Sequence, residues 1–469
     1  MLDRWSPAAW AALAACVAIV VRLPFLGTPL TADEGGYGEV ARLWSRGASL
    51  YDQAWVDRPQ GLLLVFRGML HIDGGSATAL RLAAALGSAL LVVLTMVIAL
   101  WLAGRIPAIL AGLLLATAGA SPYIEAFTLS GELLAAIPAA ASMICFIAYL
   151  RRGHWGWLVA CGLLTGCAVM TKQSGFDAGM AAVLFLLVTR RRAGILPSTV
   201  IVASAAVPVA AGALLAPNFG NWWYAMVTYR RAGDSLFSGP PQHRLYLFVH
   251  SLPGVALAIA LMIALAVYGW RRAPLLARLW LLTASLGVLG GGNFHHHYYL
   301  QLCPPLAVLG GIGGARLRAQ PRRLVAIACA GLAAGTLIAG VPLWFRSTDA
   351  QATAVFHDKH LPHDGPVADW LREHSSPRDK IFVMWAAADL YYLTDRDPAV
   401  RYMWYRPLQS IPGAMDEVHA ALASPDRPRY VVGVHKPGML DKTGKTARLL
   451  KEHYRQVAVV DGVPIYEAR

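Results

Sequence analysis

The sequence predicts a polytopic α-helical membrane protein of about eleven transmembrane helices, with juxtamembrane helices on its outer side and a small C-terminal extracytoplasmic α/β domain. Three observations predict it. The chain is 57% hydrophobic and only 14% charged, with a mean hydropathy of +0.48, where a soluble domain is roughly a quarter charged. Apolar stretches of spanning length recur from Trp10 to Trp344 and then stop. The arginines and the acids between those stretches fall on opposite sides.

A bilayer core takes about 20 apolar residues per helix. Spans are expected near 9–27, 79–102, 106–120, 132–150, 156–171, 177–190, 197–216, 245–269, 275–291, 299–315 and 324–344. Met1 to Gly27 carries Arg4 ahead of an apolar run longer than a signal core, and no small-residue cleavage site follows, so it reads as an uncleaved first span. Gly162 and Gly166 stand at the spacing that lets two helices approach closely. All six cysteines lie within apolar segments and form no metal-type pair or disulfide framework; they read as small packing residues.

Direction comes from the short loops. Arg4, Arg105, Arg151–Arg152, Arg190 to Arg192, Arg271–Arg272–Arg278 and Arg316–Arg318–Arg322–Arg323 fall on one side of an eleven-span chain, which makes that side cytoplasmic. Of the acids before residue 345, all but Asp3 (Asp33, Glu34, Glu39, Asp52, Asp57, Asp73, Glu125, Glu132, Asp177, Asp234) then fall at or near the outer side. The net charge of +14 therefore encodes topology rather than a nucleic-acid surface, and no aromatic residues interleave with the arginines to make a stacking platform.

The first outer loop, about 28–78, is the longest between spans. Asp33 is expected to cap a helix from Glu34 to Arg46, with Glu34 in the first turn where the dipole favours negative charge. After Arg58-Pro59 comes a second stretch, Gly61 to Ile72, apolar but too short to span and so interfacial. A capping Asp is commonly only a cap. Here Arg22 near the end of the first span, the pair Asp57-Arg58, and Lys172, the sole lysine before residue 345, add ionisable groups to the same face.

Two further outer clusters follow. The loop 217–244 holds Trp222, Trp223, Tyr224 and Tyr229, which suit either an interfacial aromatic belt or a platform for a sugar or lipid chain. Its Arg230, Arg231, His243 and Arg244 suit an anion. Ahead of the tenth span stand His295, His296, His297, Tyr298 and Tyr299. Adjacent residues on one helix point about 100° apart and make a poor chelate, so hydrogen bonding to an anion or sugar hydroxyl is expected over metal binding. Together these groups offer a carboxylate base and cations for a phosphate leaving group.

Four segments, RLPFLGTPLTADEGGYGEVARLW (Arg22 to Trp44), DRPQGLL (Asp57 to Leu63), GLLTGCAVMTKQSG (Gly162 to Gly175) and HHHYYLQLCPPLAVL (His295 to Leu309), carry a resemblance. The chain resembles polyprenyl-phosphate-dependent glycosyltransferases of the GT-C class, more narrowly the protein O-mannosyltransferases and the bacterial lipid A aminoarabinose transferase. The resemblance implies transfer of a sugar from an undecaprenyl- or dolichyl-phosphate carrier, outside the cytoplasm, with inversion and no required cofactor. It makes Asp33 similar to the family's catalytic base, with Glu34 positioning it or the acceptor. Arg58 and Lys172 match positions near the carrier phosphate, Tyr37 falls in the family's first motif, and the His-Tyr-Tyr stretch falls at the cavity rim. The family often has Lys-Pro-Pro where this chain has Arg58-Pro59-Gln60, which keeps the charge and alters the turn.

The last part, 345–469, alternates strand and helix in DKIFVMWAAADLYYLT, PRYVVGV and QVAVVDGVPIYEAR and reads as one small α/β unit. The rival reading is a transporter or flippase of lipid or sugar. It would place ionisable groups at mid-span on repeated, broken helices, and this chain has neither pattern.

Overall fold

The computed structural model of the chain describes residues 6–231, 241–319, 330, 332–333, 340–385 and 387–469. Asp3, Arg4, Asp234, Arg322, Arg323, Cys329 and most of the expected span 324–344 lie outside the described residues.

The membrane half is built of helices. In chain order they are α1 (Pro7–Val20), α2 (Ala32–Ser45), α3 (Gln60–Met69), α4 (Ala77–Ala103), α5 (Arg105–Thr117), α6 (Gly131–Arg152), α7 (Gly156–Thr171), α8 (Asp177–Arg190), α9 (Ile195–Leu214), α10 (Pro241–Gly269), α11 (Leu275–Gly291) and α12 (Cys303–Ala319). Each of the ten expected spans on described residues coincides with a helix. Five helical stretches among the described residues are long and apolar enough to cross a membrane: Pro7–Phe25, Ala77–Ala103, Gly131–Arg152, Asp177–Leu214 and Pro241–Arg272. Arg105–Ala120, Gly156–Thr171 and Leu275–Gly291 are shorter apolar helices.

Local chemistry sets the ends. Ser76 caps α4 by accepting from Ala79 N at 3.2 Å, and Gly104 stops it at φ 93°. Ser130 caps α6, which ends on Gly153 in the left-handed region. The tenth span begins at Cys303 rather than at residue 299, because Pro304 and Pro305 suit a helix's first turn; residues His296–Leu302 form a 3₁₀ segment ahead of it. The expected close approach at Gly162 and Gly166 is present. Side chains there would run into the Ile201 and Ala205 carbonyls of α9, so packing accounts for both glycines.

Beyond the bundle lie α13 (Thr348–Phe356), α14 (Asp364–His374), α15 (Asp389–Thr394), α16 (Tyr405–Ser410), α17 (Ala414–Ala423) and α18 (Lys445–His453) around one sheet. Its order is β1-β2-β4-β3, with β1 (Ile381–Met384) parallel to β2 (Tyr430–Gly433). Strand β4 (Val463–Ala468) is antiparallel to β2 and to β3 (Tyr454–Val460). The β3–β4 hairpin turns on Asp461 and Gly462, at φ 49° and 86°, the Asp-Gly turn that matches strand twist. This α/β unit packs on α2 and its loop. Arg46 pairs with Asp395 at 2.9 Å and Asp397 at 3.2 Å, Arg401 pairs with Asp52 at 3.0 Å, and Tyr392 Oη donates to the Gly75 carbonyl at 2.9 Å.

Candidate active site

The site forms where α2, the turn before α3, the α7–α8 junction and the loop before α12 meet. Thr31, not Asp33, caps α2: its hydroxyl accepts from Glu34 N at 3.1 Å while the Glu34 carboxylate accepts from Thr31 N at 3.2 Å. The capping box is complete. The expected Asp33 cap is thus corrected, because a Thr three residues before a Glu satisfies two helix donors at once. Asp33 is released into the first turn, partly exposed, where Tyr37 Oη donates to its Oδ2 at 3.1 Å.

Glu34 turns the other way. Only 2% exposed, it is ion-paired with Arg81 and accepts from Leu129 N at 2.9 Å. Arg81, itself 2% exposed, also donates to the Pro29 carbonyl at 2.7 Å and to Thr28 Oγ1 at 3.1 Å. Glu34 therefore anchors α2 to α4 and to the 118–130 loop, leaving Asp33 as the acid that faces the cluster.

Two basic groups lie within electrostatic reach of Asp33. The Arg58 guanidinium lies 5.7 Å over the Tyr37 ring, and the charges of Arg58 and Lys172 reach Asp33. Asp57 ties the cations together, pairing with Arg58 at 2.8 Å and Arg230 at 2.9 Å. Lys172, at the C-terminus of α7, is ion-paired with Glu132 and lies 4.1 Å over the Tyr298 ring. Burial, and then the Arg58 charge, hold its ammonium well below the usual lysine range.

His297 bridges two carboxylates, with Nδ1 at 2.8 Å from Glu125 and Nε2 at 3.7 Å from Glu132. Burial works against Glu125 ionising, but His297 and its two neighbours hold its carboxyl below the ordinary range. The His295 ring stacks on His297 at 5.6 Å. Burial, then His297 and Arg406, push it down to about 4, so it is neutral at pH 7. His296 faces away toward His357, at 6.2 Å between rings. Among the described residues no group of three His, Cys, Asp or Glu side chains is arranged to hold a metal.

The other sequence-predicted residues take structural positions. Arg22 is buried, and its guanidinium is engaged by the carbonyls of Ala18 and Ala126 at 2.8 Å and Gly119 at 3.4 Å, which brace the 118–126 loop. Trp222 is buried and donates to Gln60 at 3.1 Å. Tyr229 packs edge-on to Trp55 at 4.9 Å. Arg230 joins the cluster through Asp57, whereas Arg231 is exposed and Arg244 is partly exposed in the first turn of α10. Four residues of the site carried no functional expectation: Arg81, Glu125, Glu132 and Arg406. Arg406 Nη1 donates to Asn293 at 3.1 Å, and its charge reaches His295 and Tyr298. Glu125 and Glu132 had a signal, being acids in and beside a short connection between two apolar helices.

Known proteins share this architecture. Residues 57–217 match the family model described as dolichyl-phosphate-mannose-protein mannosyltransferase. No curated protein sequence matches the chain. Among solved structures, ArnT from Cupriavidus metallidurans bound to undecaprenyl phosphate superposes with a TM-score of 0.62 at 18% identity, over 98% of each chain. The oligosaccharyltransferase AglB from Archaeoglobus fulgidus, in complex with an inhibitory peptide and a dolichol-phosphate, gives a TM-score of 0.57 at 13% identity, over 92% of this chain and 69% of that one. An Archaeoglobus fulgidus oligosaccharyltransferase in complex with Zn and sulfate gives a TM-score of 0.56 at 13% identity, over 90% of this chain and 67% of that one. The chain thus has the multi-pass membrane fold of the GT-C glycosyltransferases, and its residues 57–217 carry the sequence pattern of the mannosyltransferase family.

Proposed function

We propose that this protein is a membrane glycosyltransferase that moves a sugar from a polyprenyl-phosphate carrier to an acceptor hydroxyl at the outer face of the bacterial cytoplasmic membrane. Asp33 takes the acceptor proton as the hydroxyl oxygen attacks the anomeric carbon. The bond from that carbon to the phosphate oxygen breaks, and polyprenyl phosphate leaves with the electron pair. A single displacement inverts the anomeric centre. Arg58, Lys172 and Arg230 meet the charge that grows on the departing phosphate, where fixed donors act most strongly.

The observation that carries this reading is the convergence of Asp33 and Arg58 on Tyr37, whose hydroxyl bonds Asp33 at 3.1 Å and whose ring lies 5.7 Å from the Arg58 guanidinium. A base and a phosphate site have to lie on either side of one anomeric carbon. The test is mass spectrometry of lipid-linked sugars and envelope glycans in a strain lacking the protein. The expected result is an accumulated carrier-linked sugar on the outer leaflet together with loss of one envelope modification. Cargo trapped on the inner leaflet would instead make the protein a flippase and defeat the proposal.

A further inference from the structure

The α/β unit reaches the site through one short segment, Tyr402 to Arg406. The Tyr402 ring lies 5.4 Å from Trp55, the Trp404 ring lies 5.8 Å from Tyr37, and Arg406 donates to Asn293 in the loop that leads to His295. One stretch of five residues therefore touches both the helix that carries Asp33 and the histidine loop.

Trp404 is seated by the absence of a side chain. A Cβ on Gly36 would run into its indole, and one on Gly35 would run into Asp389. A Cβ on Gly38 would lie 2.8 Å from the Tyr392 ring. Three glycines in the first turns of a helix cost it stability, and here they let the α/β unit lie directly on the α2 backbone. Trp404 Nε1 is buried with no hydrogen-bond partner among the described residues, so what the indole supplies is its ring. That ring, with Phe66 edge-on at 5.7 Å, confines Tyr37, whose hydroxyl holds the Asp33 carboxylate.

We propose that Trp404 is a positioning residue for the transfer reaction, acting through the Tyr37 hydroxyl to fix the Asp33 carboxylate. This rests on the reading of Asp33 as the base. Misplacing a reacting group by about 1 Å can cost on the order of a hundredfold in rate, so a ring that keeps Tyr37 in place acts on kcat rather than on donor binding.

The test uses the full-length protein with undecaprenyl-phosphate mannose and undecaprenyl-phosphate aminoarabinose as donors, an envelope extract as acceptor, and release of undecaprenyl phosphate as the readout. Per folded enzyme, Trp404→Ala is expected to lower kcat at least about tenfold with the donor KM held within about twofold, and Trp404→Phe to restore it to within about threefold. Because the effect runs through Tyr37, the double variant Trp404→Ala/Tyr37→Phe should be no slower than Tyr37→Phe alone. Arg46→Ala, which removes exposed ion pairs of the same interface, should keep the wild-type kcat. Costs that multiply in the double variant, or an Arg46→Ala loss equal to that of Trp404→Ala, would show general loosening and overturn the role. An active wild type with an unaffected Trp404→Ala overturns it as well. A wild type that transfers neither from these donors nor from the carrier-linked sugars extracted from a strain lacking the protein overturns the glycosyltransferase reading, and this role with it.

Discussion

Asp33 and Glu34 are neighbours in the chain with different work. Glu34 is buried against Arg81 and a backbone amide, so removing its charge strands a buried guanidinium. Glu34→Gln is expected to destabilise the protein by about 3–5 kcal/mol, the usual cost of breaking a buried pair. Thr31→Ala, which loses the other half of the capping box, should cost only about 1 kcal/mol. Thermal unfolding in detergent distinguishes the two, and equal losses would mean that Glu34 serves the helix end alone. Lys172→Ala and Arg58→Ala should raise the apparent KM for the carrier-linked donor, measured by steady-state kinetics, because each removes a basic group that the proposal assigns to the donor phosphate. Asp33, Arg58 and Lys172 were legible in the sequence because a charge in so apolar a chain is costly and stands out. Arg81 was not, since its carboxylate partner lies 47 residues away in sequence.

At the scale of elements, apolar length was enough to place the helices. Boundaries failed where local chemistry overrode periodicity. Thr31 displaced Asp33 as the α2 cap, and a pair of prolines moved the start of α12. The contacts between α2 and α15 were illegible because three glycines in a row of four residues read equally well as a loop. Their meaning lies in Asp389, Tyr392 and Trp404, more than 350 residues away. That interface also carries a pH dependence. Asp364 and Asp389 are both buried, and burial holds both carboxyls above the usual range; the neighbouring Asp389 adds to the rise at Asp364, while the hydrogen bond from Asp364 offsets part of the rise at Asp389. A raised carboxyl pKa stabilises the folded state below the unfolded value of about 4, and that contribution is lost as pH rises through the folded values. Stability should therefore fall from mildly acidic to alkaline pH, and Asp389→Asn should flatten the decline. A melting temperature that rises with pH in the wild type, or a slope unchanged in the variant, would contradict the assignment.

For the molecule as a whole, the bundle, helices α2 and α3 and the α/β unit converge on one cluster drawn from distant parts of the chain. The sequence showed which groups are ionisable and which loops carry them. It could not show that Glu125, Glu132 and His297 form a carboxylate–histidine set, nor that the α/β unit packs on the helix that carries Asp33, since those contacts link distant parts of the chain. The central claim is that Asp33 is the base of a glycosyl transfer, and the most direct measurement is transfer by purified Asp33→Asn from a polyprenyl-phosphate sugar. The account predicts a fall in kcat of about a hundredfold to ten-thousandfold, with donor KM and melting temperature unchanged, since Asp33 is partly exposed and bonded to Tyr37. Transfer at the wild-type rate by Asp33→Asn would contradict it.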